Sequence, residues 1–348
     1  MRELAIAVVG PGLIGRKHLE LVEQSSAARV AAIVAPRHAK HQVVAQRFGA
    51  PLYHDVSTML ASEMVDGCII SSPNKFHVDQ ATSCLEAGIP VLVEKPIADT
   101  LDAGERLLGV AKRTNVRLLV GHHRAHSPIM RLSREIIDSQ RLGRVVAVIG
   151  SAMFYKPDDY FEAGPWRKEL GGGPILINLI HEIGNLRALC GEIVCVQAFA
   201  SSATRQFAVE DTAAINFKFA SGALGVFMLS DTAASARSWE QTSRENPSYP
   251  HYEDEDCYVV SGTYGTLSIP SMRLKFYSEA GARSWWKPLS QEQFPVQGDD
   301  PLRHQLENFI NVIRGSEEPV VTGFDGVQNL RVVEAIFRSI ERGTAVQP

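Results

Sequence analysis

The sequence is short of cysteine, and its cysteines form no motif. Cys68, Cys84, Cys190, Cys195 and Cys257 are its five, and no two stand in a C-x-x-C arrangement. Neither a zinc knuckle nor a dithiol redox pair is visible. A sparse, odd count fits a reducing compartment better than a disulfide scaffold. Basic runs are also missing, and the net charge is −4. Neither nucleic acid nor an anionic membrane surface is therefore expected as a partner. No apolar stretch approaches the length of a bilayer span. The N-terminal run Leu4–Val9 is shorter than the apolar core of a secretory signal, and Gly10-Pro11-Gly12 ends it. The expectation is a cytoplasmic enzyme. No internal repeat or low-complexity tract is present.

What remains is ordinary globular composition, 45% hydrophobic and 21% charged. The 348 residues point to two domains. The first third alternates apolar runs with helical patterns. Strands are expected at Leu4–Val9, Val30–Ala35, Gly67–Ser71, Ile89–Val93 and Arg117–Val120. Helices are expected at Ile14–Gln24 and Ala39–Phe48, and from near His77 and Thr100. Such alternation predicts a parallel sheet with helical crossovers. After about residue 122 the pattern changes. A helix at Ile129–Ser139 and a strand at Val145–Phe154 precede several extended segments from Val194 to Tyr277, with turns such as Ala220-Ser221-Gly222. These suit an antiparallel sheet. Helices at Leu302–Arg314 and Gly326–Arg342 close the chain, and Ser235–Asp254 reads as a loop.

Gly10-Pro11-Gly12-Leu13-Ile14-Gly15 matches G-x-G-x-x-G between a strand and a helix, the context that gives the pattern meaning. Gly10 makes the tight turn, Gly12 lets a pyrophosphate approach, and Gly15 permits close helix–strand packing. The N–H groups opening the helix, from Leu13 and Ile14 onward, face the phosphates. The second strand ends Val34-Ala35-Pro36-Arg37, without the acid that would bind a ribose 2′-OH. Arg37 can pair with a 2′-phosphate, which favours NADP over NAD. The alternative is that Arg37 is a solvated surface charge or stacks on adenine.

Three further motifs follow in order: Ser72-Pro73-Asn74-Lys75-Phe76-His77, Glu94-Lys95-Pro96, and Gly171-Gly172-Gly173 before a helix-like stretch with His181. Together with the glycine turn they resemble the Gfo/Idh/MocA family, named for glucose-fructose oxidoreductase, inositol dehydrogenase and a rhizopine-catabolism protein. The resemblance covers nearly the whole chain. It implies an α/β protein with an N-terminal Rossmann dinucleotide-binding domain, residues 1–122. Residues 123–348 would form a C-terminal α/β domain with an open, mostly antiparallel sheet for substrate binding and oligomerisation. It further implies a homodimer or homotetramer packed through those sheets, and NADP or NAD as cofactor.

The same resemblance implies roles for particular residues. Ser72, Asn74, His77, Glu94 and Lys95 would lie against the cofactor. Lys95 would hold the reacting oxygen. His181 would be the general base for the hydroxyl proton. The family often has an aspartate four residues before that histidine, but here the position is Ile177. Asn178, three residues before His181, shares its face if the stretch is helical and would orient the substrate without carrying charge. His123 and Arg124, in Gly121-His122-His123-Arg124-Ala125-His126, would shape the substrate pocket or make domain-interface hydrogen bonds. Tyr155, Lys156, Tyr160, Trp166 and Arg167 would frame the substrate by stacking or by pairing with an acidic group, or belong to an ordered surface loop. The reaction expected is hydride transfer between nicotinamide and a secondary alcohol of a sugar, cyclitol, sugar acid or cyclic diol. Two alternatives are an NAD-dependent glycoside hydrolase working through transient oxidation and a non-catalytic nucleotide-binding regulator. No metal is expected.

Overall fold

Residues 2–279, 281 and 283–348 are described by a computed structural model. The chain begins with β1 (Leu4–Val9), α1 (Leu13–Gln24), β2 (Ala28–Val34), α2 (Ala39–Arg47), β3 (Leu52–Tyr53), α3 (Val56–Ser62), β4 (Gly67–Ile70), α4 (His77–Glu86), β5 (Val91–Glu94), α5 (Leu101–Thr114) and β6 (Leu118–Gly121). The strands form one parallel sheet in the order β3-β2-β1-β4-β5-β6. Strand β1 is buried along its whole length, the mark of a sheet covered on both faces. The order reverses beside β1, and ligands of such sheets bind beyond the strand C-termini at that switch point. Gly10, Ser71, Glu94 and Gly121 all stand at strand C-termini. Sequence patterning did not indicate β3 and α3. The first has two residues; the second is a short helix held by Asp55, which accepts from the Thr58 N–H at 2.7 Å.

The second architecture starts with α6 (Pro128–Asp138), β7 (Val145–Met153), α7 (Asp158–Glu162) and α8 (Ile180–Cys190). It continues with β8 (Ile193–Ser201), β9 (Thr212–Phe219), β10 (Leu224–Ser230), α9 (Trp239–Thr242), β11 (Tyr258–Gly262), β12 (Gly265–Ile269), β13 (Arg273–Phe276) and β14 (Ser290–Gln293). The eight strands run β14-β13-β12-β11-β7-β10-β9-β8. Only β7 and β10 are parallel; every other pair is antiparallel. One face of this sheet packs on α8 through Ile180, Ile183 and Leu186 against Val148, Phe217 and Phe227. The other face leaves Ile149, Leu224, Val226, Met228 and Phe199 exposed.

Two helices close the chain, α10 (Pro301–Ile313) and α11 (Gly323–Arg342). Here the expected division after residue 122 is corrected. The compact units are Met1–His126 with Pro301–Leu330, and Ser127–Asp300 with Arg331–Pro348. Helix α10 lies on β4, where a Cβ on Gly67 would stand 2.6 Å from Ile313 and 2.9 Å from Phe309. Its Leu306, Phe309, Ile310 and Val312 join the core of β1, β2 and α1, each such side chain contributing about 2 kcal/mol. An amphipathic pattern says that a helix has a buried face but not which sheet it covers. Ser127 opens the second unit as the cap of α6, accepting from the N–H groups of Ile129 and Met130.

Candidate active site

The glycine turn follows from its own contacts. Gly10 has φ +85°, and a Cβ there would fall 2.6 Å from the Ser72 backbone. A Cβ on Gly15 would fall 2.1 Å from the Gly10 carbonyl oxygen, so only glycine lets α1 pack so near the strand. Ser71 Oγ is 2.9 Å from the carbonyl oxygens of both Val9 and Gly10, which pins the turn. Gly12 differs: nothing lies within 4 Å of where its Cβ would be. It is also the N-cap of α1, and no side chain caps that helix. An open cradle beneath uncapped N–H groups fits a pyrophosphate. Leu13 is exposed and Ile14 half-buried there. The Gly10 N–H reaches the Val34 carbonyl at 2.8 Å, which ties the turn to the end of β2. Arg37 follows it, exposed, just before α2, whose first turn has no acid. Its neighbours His38, Lys40 and His41 are basic, and His38 caps α2 by accepting from Lys40 N–H at 3.1 Å.

Around the next two strand ends, buried groups fix the loops. The His77 ring is buried, its Nε2 2.8 Å from Ser72 O and its Nδ1 2.9 Å from Pro96 O. It staples the Ser72–Asn74 loop to the cis Lys95–Pro96 turn. A neutral ring can donate to only one of those carbonyls, and burial pushes the His77 pKa down. Glu94 turns inward to the buried His18 of α1, Oε1 to Nε2 2.7 Å. A Cβ on Gly121 would be 2.9 Å from the Glu94 carboxyl. Lys95 is half-buried. His123 stands near enough that the Lys95 charge helps hold its imidazole neutral, after burial and beside Arg124, well below the usual range. Arg124 is buried in the same turn.

The second unit carries the remaining residues. A Cβ on Gly172 would meet the Trp166 carbonyl at 2.4 Å, and one on Gly173 the Glu210 carboxylate at 2.4 Å. The glycines thus admit the Pro165–Lys168 turn and Glu210, whose Oε1 accepts the Ile175 N–H at 2.8 Å. Burial pushes the Glu210 pKa up. Then comes a π-helical turn, Ile175–Leu179, running straight into α8, a local irregularity common at functional sites. Half-buried Asn178 lies in that turn and buried His181 in the first turn of α8. Glu182 points elsewhere, into the core, accepting from Tyr258 OH. Asn178 Oδ1 accepts from Lys156 Nζ at 2.7 Å. Tyr155 and Trp166 are exposed, and the Arg167 guanidinium lies 3.9 Å over the Tyr160 ring.

The first unit thus gathers the glycine turn, Ser72, Asn74, His77, Lys95, His123 and Arg124, while Asn178 and His181 belong to the second. Sequence reasoning put Lys156 in the substrate-framing loop without its partners, and missed His18, Arg205, Glu210 and Asp231. Their partners lie too far off in sequence for local patterning to find them. Among the described residues no group of three or more His, Cys, Asp or Glu side chains could hold a metal ion, and no helix is long and apolar enough to cross a membrane.

Residues 4–122 match the model of the oxidoreductase family with an NAD-binding Rossmann fold, and residues 130–268 match the Gfo/Idh/MocA C-terminal domain. The chain belongs to the Gfo/Idh/MocA family. It is 26% identical over 347 residues to the rhizopine catabolism protein MocA of Rhizobium meliloti, covering 98% of this chain and 96% of that one. Inositol 2-dehydrogenase of the same species (strain 1021) is 24% identical over 335 residues, 96% of each. The WlbA dehydrogenase of Bordetella pertussis, solved with NADH and UDP-GlcNAcA, shares the fold with a TM-score of 0.80. It is 24% identical and covers 100% of this chain and 99% of its own. The Gfo/Idh/MocA protein described here is therefore an NAD(P)-dependent oxidoreductase.

Proposed function

We propose that this oxidoreductase transfers hydride reversibly between NAD(P) and a secondary alcohol carbon of a small sugar-like molecule: a sugar, cyclitol, sugar acid or cyclic diol. The observation that carries the reading is the open cradle at Gly12 under the uncapped start of α1. The sugar and cyclitol dehydrogenases among the relatives support the substrate class. The bound nicotinamide supplies a site that accepts or returns the hydride. Gly10, Gly12 and Gly15, with the N–H groups of Leu13 and Ile14, hold the phosphates. Ser72 and Asn74 flank the cofactor, kept in place by His77, while Glu94 holds the strand end that carries Lys95. The Lys95 ammonium stabilises the negative charge that develops on the substrate oxygen. His181 takes or returns the hydroxyl proton, and Asn178 orients the substrate. His123, Arg124, Tyr155, Trp166 and Arg167 contribute to substrate recognition.

NADP is the preferred cofactor in this reading. Arg37 opens a basic stretch with His38, Lys40 and His41, and no acid stands there to repel a 2′-phosphate. Two copies, or four, assemble through the open sheet face, where Ile149 is 60% and Phe199 65% exposed; so much apolar surface is uncommon on a monomer. A substrate screen with each cofactor tests the activity. Turnover of at least one sugar or cyclitol, faster with NADP, is expected. Cofactor binding without oxidation or reduction of any panel member contradicts the proposal.

A further inference from the structure

Lys156 is the one lysine in the buried class among the described residues. Past the end of β7 the chain stays beside β10, with the Phe154 N–H on Ser230 O at 3.1 Å and the Lys156 N–H on Asp231 O at 2.8 Å. This fixes the backbone at Lys156. Its Nζ then reaches Asn178 Oδ1 at 2.7 Å and Asp231 Oδ2 at 3.5 Å. Arg205 locks the arrangement from behind: Nε donates to Asp231 Oδ1 at 2.9 Å and NH2 to the Lys156 carbonyl at 2.7 Å. The Tyr160 ring centroid lies 5.1 Å from Nζ. Burial lowers the Lys156 pKa to about 8, against the pull of Asp231, so the group is still an ammonium at neutral pH.

An ammonium only donates. The Asn178 amide oxygen must therefore face Lys156, and its NH2 must face the other way. The residue is half-buried, so that NH2 is within reach of a ligand. That NH2 only donates, so an anionic oxygen makes a stronger, charge-assisted bond to it than a neutral hydroxyl does. A carboxylate accepts through both oxygens. We propose that Lys156 is a positioning residue that holds the Asn178 amide with its NH2 toward the substrate, and that this selects a sugar-like substrate carrying a carboxylate. The proposal rests on the hydride-transfer reading and narrows its substrate class to sugar acids.

The test is calorimetric binding of matched pairs, D-glucose with D-glucuronate and D-galactose with D-galacturonate, to the protein saturated with oxidised cofactor. The parent should bind at least one uronate about tenfold or more tighter than its hexose, the scale of one charge-assisted hydrogen bond. In Lys156→Met that ratio should fall to near unity, and Lys156→Arg, also a pure donor, should restore part of it. Asn178→Asp, which sets a carboxylate against the ammonium, should reverse the preference. In turnover, Lys156→Met should raise KM for the uronate more than it lowers kcat. A ratio unchanged in Lys156→Met, equal loss for both members of a pair, or no uronate binding by the parent overturns the proposal. Turnover of neutral sugars without uronate preference would overturn it while leaving the hydride-transfer reading standing.

Discussion

Replacing Lys156 by methionine should raise stability while it costs function. The folded chain lowers this lysine from 10.5 to about 8, with burial as the first cause and Asp231 opposing it. At about 1.36 kcal/mol per pH unit, keeping the proton in the fold costs about 3 kcal/mol. Methionine has nearly the same reach and carries no charge to desolvate. Its introduction strands no buried carboxylate, because Asp231 keeps Arg205 Nε at 2.9 Å. Asn178 loses a donor but is open enough for water to replace it. At pH 7 the variant should therefore gain up to about 3 kcal/mol. Between pH 8 and 10.5 the unfolded chain holds a proton that the folded one has released, so this site makes the parent more stable as pH rises. The gap between parent and variant is full below pH 8 and closes as pH passes 10.5. Urea unfolding of both proteins from pH 7 to 10.5 measures it. A variant clearly less stable than the parent at pH 7, or a difference that stays flat over that range, would refute the reasoning.

Four further outcomes follow from the site geometry. Gly12→Ala should leave the melting temperature within about 2 °C, since its Cβ meets nothing, yet weaken cofactor binding by tenfold or more in titration calorimetry. Gly15→Ala puts a methyl 2.1 Å from a backbone oxygen and should cost more than about 3 kcal/mol in urea unfolding. Lys95→Ala should lower kcat about 10²-fold or more on the substrate found by screening, with cofactor affinity retained. Arg37→Ala should lower the NADP over NAD preference about tenfold, one charged contact's worth, in steady-state kinetics with each cofactor.

Local signals carried the sequence reading a long way. The strand β1, the glycine turn and α1 lie within twenty-one residues, and each constrains its neighbour, so their pattern is readable from one stretch of chain. The mostly antiparallel second sheet was also legible, since period-two burial in β9 and β10 shows in the alternation of residues. What escaped was assembled over distance. Lys156, Asn178, Arg205 and Asp231 meet across 75 sequence positions, and a lone lysine before a proline announces none of this. The π-helical turn at Ile175–Leu179 was hidden too, because apolar residues there suit either helix type. The inward turn of Glu94 depends on His18, 76 positions earlier.

The placement of α10 has a consequence for how the protein comes into being. The first unit takes Leu306, Phe309, Ile310 and Val312 into its core. A ribosome finishing residue 126 has therefore made every strand of the parallel sheet but not the helix that seals one side of it. Until the end of the chain emerges, the apolar side chains that α10 will cover remain open to water, and the contacts that close them join residues some 240 apart, as Gly67 and Phe309 do. Closure over such separations is slow and leaves the nascent chain exposed to aggregation. A fragment stopped at the end of the N-terminal family match would carry the glycine turn in full and still lack a finished core.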